Sequence, residues 1–521
     1  MARTRRDIWK LAGTWDDAVL WYARGVQMLQ SRSRLEDVTS WRYLAAIHGV
    51  DEFLWQGLGY LGDNEQLPTT PEFAEDSNEC QHHTWYFLPW HRGYLAAFEK
   101  MVMAAITQLG GPSDWALPYW NYSDSNNPNA RTFPPAFASD NWPDGTGNPL
   151  FVRPRYGRGD GTIVIRQRDV DLGPALMEPR FAGATTGGSP GFGGATTPFK
   201  HSGGANDPAE GVLEQSPHDT IHGLVGGARN NDPSDPLNLG LMSVPEIAAL
   251  DPIFWLHHAN IDRLWEVWLR RSGNHKNPTQ TAWLDGPLGS RVFTMPAPDG
   301  TRSQFTARQM LDTTSPTLDY VYEDVSDPLA GQERVAVRRQ TLGMAMAPPT
   351  EVVMPREPEV ELLGANAQSV QLGGPGAETG VRMDPGVTRK VMESFSQAGV
   401  AAGARREPDR VFLNLENIKG SNDAAVFDVY VGLAPADAPE DHPDNFAGVV
   451  SLFGLREATN LAAAHGGNGM TKVIDITPVI DRLHLSGSLD VSQLPVRFVP
   501  VQGFGRGTIE IGRVSIYRQG G

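Results

Sequence analysis

The chain has 521 residues, and its 44 Lys and Arg side chains against 61 Asp and Glu give a formal net charge of −17 at pH 7. This acidic surplus argues against a protein that binds nucleic acid through a basic face. The single cysteine excludes an internal disulfide, and a chain of this length buries enough surface to fold without one. No run approaches the roughly 18 apolar residues of a membrane-spanning helix, so no membrane segment is predicted.

The first residues, MARTRRDIWKLAG, contain a pair of arginines that suits a twin-arginine export signal. However, Asp16 and Asp17 interrupt the apolar core that such a signal needs. We therefore interpret Arg5 and Arg6 as part of the mature fold. The cytoplasm is the default location, and export stays open.

Three helices are predicted in the first part of the chain. Thr14 and Asp17 have the spacing of a capping box that opens the first helix. Further helices are predicted from near Pro89 and from Pro252, the latter capped by Asp251. Residues 124–210 are rich in Gly, Pro, Asn and Thr, which predicts long surface loops within the same domain. The apolar face of the first helix consists of Val19, Tyr22, Ala23 and Val26.

The composition changes near residue 326. Residues 326–408 are predicted to be a linker and the start of the C-terminal region, with Gly373–Gly380 as a mobile stretch. The prediction is thus a helical domain over residues 1–325 and a β-rich domain over residues 409–521. The strand signals are VFLNLENI from Val411, VFDVYV from Val426, PVRFVPV from Pro495 and TIEIGRVSIY from Thr508.

Nine of the 13 histidines lie between His48 and His258, and eight of them form two clusters. The first consists of His48 and the segment CQHHTWYFLPWHR from Cys80; the second consists of PHDTIHG from Pro217 and DPIFWLHHANIDRLW from Asp251. A single histidine on an apolar helix face is most often a hydrogen-bonded core residue. Four or more in one helical core favour metal binding instead, because unpaired buried polar groups are costly.

Spacing and chemistry indicate the metal. His218 and His222 are four residues apart and share a helix face, and His91 shares a face with apolar residues that point to the interior. The clusters offer imidazoles and little thiolate, and the HExxH zinc motif is absent. Two sites of three imidazoles suit copper better than zinc, and a coupled copper pair suits the binding and activation of O2.

These segments resemble the type-3 copper proteins, which comprise tyrosinases, catechol oxidases and other polyphenol oxidases, and molluscan-type haemocyanins. The resemblance is strongest over residues 1–325. It implies a mainly α catalytic domain, a four-helix bundle that holds two copper ions in a type-3 dicopper centre, followed by a β-sandwich or barrel domain. The matching residues are Asp251, Pro252, Phe254, Trp255, His258 and Asp262 of one signature, and His82, His91 and Arg92 of the other.

The resemblance also implies the ligands. Packing or supporting roles are expected for the neighbours His83 and His257, and Asn260 and Asp262 are expected to orient ligands or the adjacent backbone. The ligand set is His48, His82 and His91 for the first copper, and His218, His222 and His258 for the second.

Three further residues near the ligands receive roles from the resemblance. Cys80 and His82 have the Cys-x-His spacing of a thioether that would fix the imidazole. Glu214 matches a glutamate that helps to deprotonate monophenols. The family's asparagine after the first ligand of the second copper is replaced by Asp219. This second carboxylate could act as a base, or could raise its own pKa and that of Glu214.

The C-terminal region resembles the domain that covers the dicopper entrance in plant and fungal polyphenol oxidases. Tyr320 and Tyr322 match the Tyr-x-Tyr segment that ends the catalytic domain, and a structural role is expected for them. We hypothesise a lid that keeps the enzyme latent, with residues 343–408 as the cleavage region. The alternative is a domain that only completes the fold or forms a homo-oligomer interface.

The implied function is copper-dependent oxidation of phenols and o-diphenols to o-quinones with O2. A catechol oxidase without monophenolase activity is the first alternative. A haemocyanin-like O2 carrier is disfavoured, because the chain shows no repeated carrier units and Glu214 suits proton transfer. A zinc hydrolase would require zinc in the purified protein. The expected partners are a phenolic small molecule and O2, with no nucleic acid and no membrane.

Overall fold

The computed structural model describes residues 2–197, 209–271, 274–286, 293–332, 359–400, 408–462, 467–490, 492–505 and 509–520. Within these ranges no helix combines the length and the apolar character needed to cross a bilayer. The α-helices are α1 Asp17–Ser31, α2 Trp41–His48, α3 Glu52–Gly57, α4 Pro71–Asp76, α5 Phe87–Gln108, α6 Pro135–Ala138, α7 Gly173–Leu176, α8 Thr220–Gly226, α9 Pro245–Ala248, α10 Pro252–Arg271, α11 Thr281–Leu284, α12 Pro385–Val400, α13 Leu455–Thr459 and α14 Thr477–Leu485.

The strands form one large sheet and two small ribbons. The strands are β1 Arg3–Arg5, β2 Phe293–Pro296, β3 Arg302–Phe305, β4 Tyr320–Tyr322, β5 Val360–Ala365, β6 Val370–Leu372, β7 Ala377–Met383, β8 Arg410–Gly420, β9 Val426–Val431, β10 Phe446–Ser451, β11 Met470–Asp475, β12 Gln493–Gln502 and β13 Ile509–Gln519.

The three predicted helices form, as α1, α5 and α10, and α1 packs against α5. The predicted apolar face of α1 is fully buried. The capping prediction is wrong: α1 begins at Asp17, and Asp16 supplies the cap by accepting a hydrogen bond from the backbone N–H of Ala18 at 3.0 Å. Thr14 lies too far before the first turn to reach its amides.

The chain start is part of the fold. Strand β1 pairs in parallel with β4, so residues 3–5 lie beside residues 320–322. Arg5 is fully buried and forms an ion pair with Glu99 of α5, with Nη2 2.9 Å from Oε2.

The long segment before α8 is irregular, as predicted, but much of it is not on the surface. Phe181 and Phe192 are buried, and the ring of Phe192 stacks on Trp268 of α10 with centroids 4.5 Å apart. Composition alone does not reveal this, because Gly and Pro set the backbone conformation and not the burial. Residues 198–208 of this segment lie outside the described residues.

The C-terminal unit is one antiparallel sheet that curls into a nearly closed barrel. Its strands follow the order β10-β9-β12-β7-β5-β13-β8-β11, and β6 also pairs with β13. The edge strands approach each other, since Ile474 of β11 lies against Gly448 of β10. The four predicted strands correspond to β8, β9, β12 and β13.

The region predicted as linker and start of the C-terminal region contains regular elements of the C-terminal unit. The stretch Gly373–Gly380, which was predicted to be mobile, forms a turn and enters β7, which pairs with β12. Residues 360–400 contribute three strands and a helix to the C-terminal unit. The alternation of apolar and polar residues along these strands is weak, because several positions are only partly buried. Residues 333–358 and 401–407 lie outside the described residues.

Candidate metal centre

The first histidine cluster combines the end of α2 with the chain around the start of α5. His48 is the last residue of α2. His82 lies in the loop that precedes α5, and His91 lies near the first turn of α5. All three are buried, and the ring of His48 lies 5.3 Å from that of His82 and 5.8 Å from that of His91, between centroids. One ligand atom from each, and the Sγ of Cys80, lie within 4.8 Å of one another.

The second cluster combines the chain around α8 with α10. His218 lies within an irregular turn, Glu214–Asp219, in which Pro217 interrupts regular helix geometry. His222 belongs to α8, and its ring centroid lies 4.5 Å from that of His218. Adjacent residues of α10, His257 and His258, complete a group whose ligand atoms lie within 4.8 Å of one another.

The two clusters meet in the core. The rings of His91 and His258 stack with centroids 4.6 Å apart. The ring centroids of His82 and His218 lie 5.7 Å apart. The structure thus brings together all six histidines predicted as ligands. Such proximity suits two metal ions that act on one substrate.

Hydrogen bonds fix the orientation of most of these rings. Backbone carbonyls accept from Nδ1 in three of them: Pro245 from His48 at 2.9 Å, Phe87 from His91 at 2.8 Å and Met242 from His222 at 2.8 Å. A carbonyl oxygen only accepts, so Nδ1 carries the proton and Nε2 of the neutral ring presents a lone pair.

The lone pairs converge in a way that suits a bound cation. The Nε2 atoms of His222 and His258 lie 3.3 Å apart, and Nε2 of His218 has no hydrogen-bond partner among the described residues. Burial lowers the pKa of each of these three histidines well below its usual value, and the neighbouring histidines add to the effect. Neutral, buried imidazoles with facing lone pairs fit a copper pair.

Cys80 lies against the edge of the first cluster. Its Sγ is 3.6 Å from Nδ1 and 3.5 Å from Nε2 of His82. The sulfur is thus nearly equidistant from the two nitrogens that flank Cε1 of His82. Burial, followed by the charge of Glu214, raises the pKa of the Cys80 thiol well above its usual value.

The carboxylates predicted beside the site have different surroundings. Oε1 of Glu214 accepts from the backbone N–H of His83 at 2.9 Å, while Oε2 is buried without a hydrogen-bond partner among the described residues. Both oxygens of Asp219 are engaged, by His218 Nδ1 at 2.8 Å and by Lys472 Nζ at 2.6 Å. Burial raises the pKa of both carboxyls well above their usual range, and nearby carboxylates add to it.

Asn260 and Asp262 do not hydrogen-bond a ligand imidazole in the structure. Asn260 Oδ1 accepts from Arg263 Nε at 2.9 Å. Asp262 accepts from Arg92 Nε at 2.5 Å, and from the hydroxyls of Tyr320 and Tyr322 at 2.6 and 2.5 Å. Asp262 therefore supports the site indirectly, by joining α10 to the residue after His91 and to β4.

Sequence reasoning missed three contacts of the site. The ring of Phe453, which follows β10, stacks on His222 with centroids 4.1 Å apart, and it is buried. Lys472 of β11 reaches Asp219. The hydroxyl of Tyr122 lies 3.1 Å from Nδ1 of His257. The local sequence gives no signal for the first two, because they depend on how the C-terminal barrel docks.

The C-terminal barrel also fills the space beside Gly223. A Cβ atom on Gly223 would lie 2.7 Å from Ser451 Oγ and 2.7 Å from Val426 Cγ2. Gly223 thus permits close docking of the barrel.

Each of the two units matches a known protein family model. Residues 38–271 match the family model for the common central domain of tyrosinase, and residues 359–519 match a domain of unknown function (DUF7868). The chain is 33% identical over 528 residues to tyrosinase HcTyr1 of Hahella sp. (strain CCB-MM4), covering 99% of both proteins. It is 30% identical over 235 residues to the latent form of polyphenol oxidase of Prunus armeniaca, covering 41% of this chain and 34% of that protein.

The fold is shared with a solved plant structure. The latent apple tyrosinase superimposes with a TM-score of 0.60 at 20% identity, over 99% of this chain and 97% of that one. This similarity extends through both the helical unit and the barrel. With two buried histidine clusters suited to a dicopper centre, the chain belongs to the tyrosinase and polyphenol oxidase family of type-3 copper oxidoreductases.

Proposed function

We propose that the protein is a tyrosinase that oxidises both monophenols and o-diphenols to o-quinones with O2. The six predicted histidines would hold two copper ions, which supply the redox chemistry with O2 when bound. The observation that carries the proposal is the meeting of two neutral imidazole clusters at His91 and His258, with the carboxylate of Glu214 close by.

The chain's own residues orient the ligands and handle the phenol proton. The carbonyls of Pro245, Phe87 and Met242 hold three imidazoles with Nε2 directed inward. Glu214 Oε2, which has no hydrogen-bond partner among the described residues, is placed to accept the proton of a monophenol. Diphenols give up their protons more readily, and therefore depend less on this carboxylate.

The direct test is quinone formation by copper-loaded protein, with one monophenol and the matching o-diphenol in parallel. Oxidation of both supports a tyrosinase. Oxidation of the diphenol alone identifies a catechol oxidase. Bound O2 without any quinone product would contradict both.

One observation favours the catechol oxidase alternative. Asp219 stands where the resemblance expects an asparagine, and both of its oxygens are held, by His218 and Lys472. Asp219 therefore cannot assist Glu214 without breaking one of these contacts. If only the diphenol is oxidised, Asp219→Asn is the first change to make.

The Glu214→Gln variant is expected to lose roughly 10²-fold in monophenol oxidation, the contribution of a positioned general base. Diphenol oxidation should stay within about a factor of three, because the amide keeps the shape of the site while losing the base. Initial rates with the paired substrates give the ratio of monophenol oxidation to diphenol oxidation. The control is Glu99→Gln, which removes a buried carboxylate paired with Arg5 and should leave the ratio unchanged. Equal losses on both substrates would contradict a role in phenol deprotonation.

We also propose a thioether between Cys80 Sγ and Cε1 of His82. Its formation would replace one S–H and one C–H bond by a C–S bond, and the two electrons and two protons released would reduce O2 to hydrogen peroxide, with bound copper supplying the redox chemistry. The peptide that contains both residues should then be lighter than its sequence mass by two hydrogen atoms, as mass spectrometry of copper-loaded protein would show. Copper-free protein and Cys80→Ala should lack this loss. An unmodified peptide from active, copper-loaded protein would refute the thioether.

The C-terminal barrel is proposed as a lid. The support is Phe453, whose ring covers His222 and contacts the rings of His82 and His218 edge-on, with centroids 5.6 and 5.9 Å away. An aromatic substrate would need the same space. Since residues 360–400 belong to the barrel, the proposed cleavage region narrows to residues 343–358.

A further inference from the structure

A buried ionic cluster lies between the helical unit and the barrel, next to the second histidine cluster. Lys472 of β11 forms ion pairs with Glu210 and with Asp219, the latter at 2.6 Å. Glu210 also lies 3.0 Å from Nε2 of His83. Lys472 and both carboxylates are only 2% exposed at their side chains, so water does not screen these interactions.

Asp219 connects this lysine to a proposed copper ligand. Its Oδ2 accepts from Lys472 Nζ, and its Oδ1 accepts from Nδ1 of His218 at 2.8 Å. The other nitrogen of His218 points into the second cluster. A carboxylate that holds the far nitrogen of a metal-bound histidine fixes its tautomer and raises its basicity as a ligand.

Lys472 is the cation that supports this carboxylate. Among the described residues, no lysine or arginine of the helical unit forms an ion pair with Asp219 or Glu210. Burial lowers the pKa of Lys472, but Asp219 and Glu210 raise it more, so the ammonium stays charged. Without it, two buried carboxylates would face each other, which is costly.

Backbone contacts hold β11 in this position. The N–H of Val473 donates to Oε1 of Gln215 at 2.8 Å, on the turn that carries His218. Farther along, Gln502 of β12 donates to the carbonyl of Gly223 at 2.6 Å. These hydrogen bonds therefore fix the position of the barrel relative to the segment that contains both His218 and His222.

We propose that Lys472 is a positioning residue of the second copper site, acting through Asp219 on the orientation of His218. The inference rests on the proposed copper centre. It gives the barrel two opposed effects: Phe453 closes the entrance, while Lys472 completes the support of a ligand. Release of the barrel would then open the site and weaken its hold on one copper.

The test is the copper affinity of the full chain, measured by competition with a chelator. Lys472→Met should weaken the binding of one of two copper ions by about 10- to 100-fold, the range for lost outer partners of metal ligands. Lys472→Arg, which keeps the charge, should recover most of this affinity. In an Asp219→Asn background, Lys472→Met should change the affinity by less than about twofold, because coupled residues are not additive.

The matched control is Arg410→Met. Arg410 of β8 also forms a buried ion pair across the two units, with Glu178 at 2.8 Å, but it has no contact with the histidine clusters among the described residues. A similar loss of copper affinity in this control would mean that Lys472 acts only by docking the barrel, and would overturn the inference. Unchanged affinity in a folded Lys472→Met variant would overturn it as well.

A second variant covers the case in which Lys472→Met does not fold. Lys472→Met with Glu210→Gln removes one positive and one negative group together, and should still show the weakened copper site. Wild-type protein that binds two copper ions without making quinone would refute the proposed activity. It would leave the comparison of Lys472 variants intact.

Discussion

His222→Gln is expected to bind one copper ion instead of two and to form quinone at least about 10³-fold more slowly, since ligands that act as a unit are not replaceable singly. His222 is held by the carbonyl of Met242, and its Nε2 faces that of His258 at 3.3 Å. Glutamine offers an amide in place of the imidazole lone pair, and an amide is a poor ligand for copper. Metal analysis and initial rates of diphenol oxidation measure the two effects.

The control for this change is His275→Gln. His275 is also a buried histidine of the helical unit, and its Nε2 lies 3.2 Å from the carbonyl of Leu176. It is not a member of either cluster. This variant should keep two copper ions. If His222→Gln keeps both copper ions and most of its rate, the proposed ligand set is wrong.

Phe453→Ala is expected to raise kcat/KM for diphenols in the uncut chain by about 10-fold, because more of the protein is then competent to bind substrate. The Phe453 ring lies parallel to His222, with 21° between the ring planes and 4.1 Å between centroids. Its removal leaves a space of aromatic size on the face that a phenol ring would use. Steady-state kinetics on full-length protein, with its mass checked afterwards, measure the gain.

Phe446→Ala serves as the comparison for this change. Phe446 begins β10, the same strand that leads to Phe453, but its ring packs on Tyr430 with centroids 5.6 Å apart. It should leave kcat/KM within about twofold, the usual range for changes away from a site. Equal gains in both variants would indicate loosening of the barrel instead of an opened site. If a folded Phe453→Ala chain shows no gain in kcat/KM, Phe453 does not block the substrate site.

The sequence by itself determined two of the helices that carry histidines, α5 with His91 and α10 with His257 and His258. Asp251 caps α10 as predicted, accepting from the N–H of Ile253 at 3.0 Å. The predicted apolar face around His91 is buried throughout. Local physics governs both features: caps act within one turn and apolar residues recur at the helical period. The spacing of the histidines along these helices was in turn enough to indicate a metal centre.

The orientation of the ligands was decided by tertiary structure. Three imidazoles are held by the carbonyls of Pro245, Phe87 and Met242. Every residue has a carbonyl, so the sequence does not mark these three. Only Phe87 lies one helical turn from its histidine, and the others come from distant parts of the chain.

The residues through which the barrel contacts the histidine clusters were likewise beyond the sequence. Phe453 and Lys472 are separated from the histidines they act on by more than 200 positions, and nothing around them marks a functional residue. A lone aromatic or lysine beside a strand is ordinary in any barrel. Their contacts with the site form only where the barrel docks against the helical unit. There the buried lysine requires carboxylate partners, and the phenyl ring stacks on an imidazole. The sequence determined which histidines form the site, whereas the tertiary structure determined which residues of the barrel contact it.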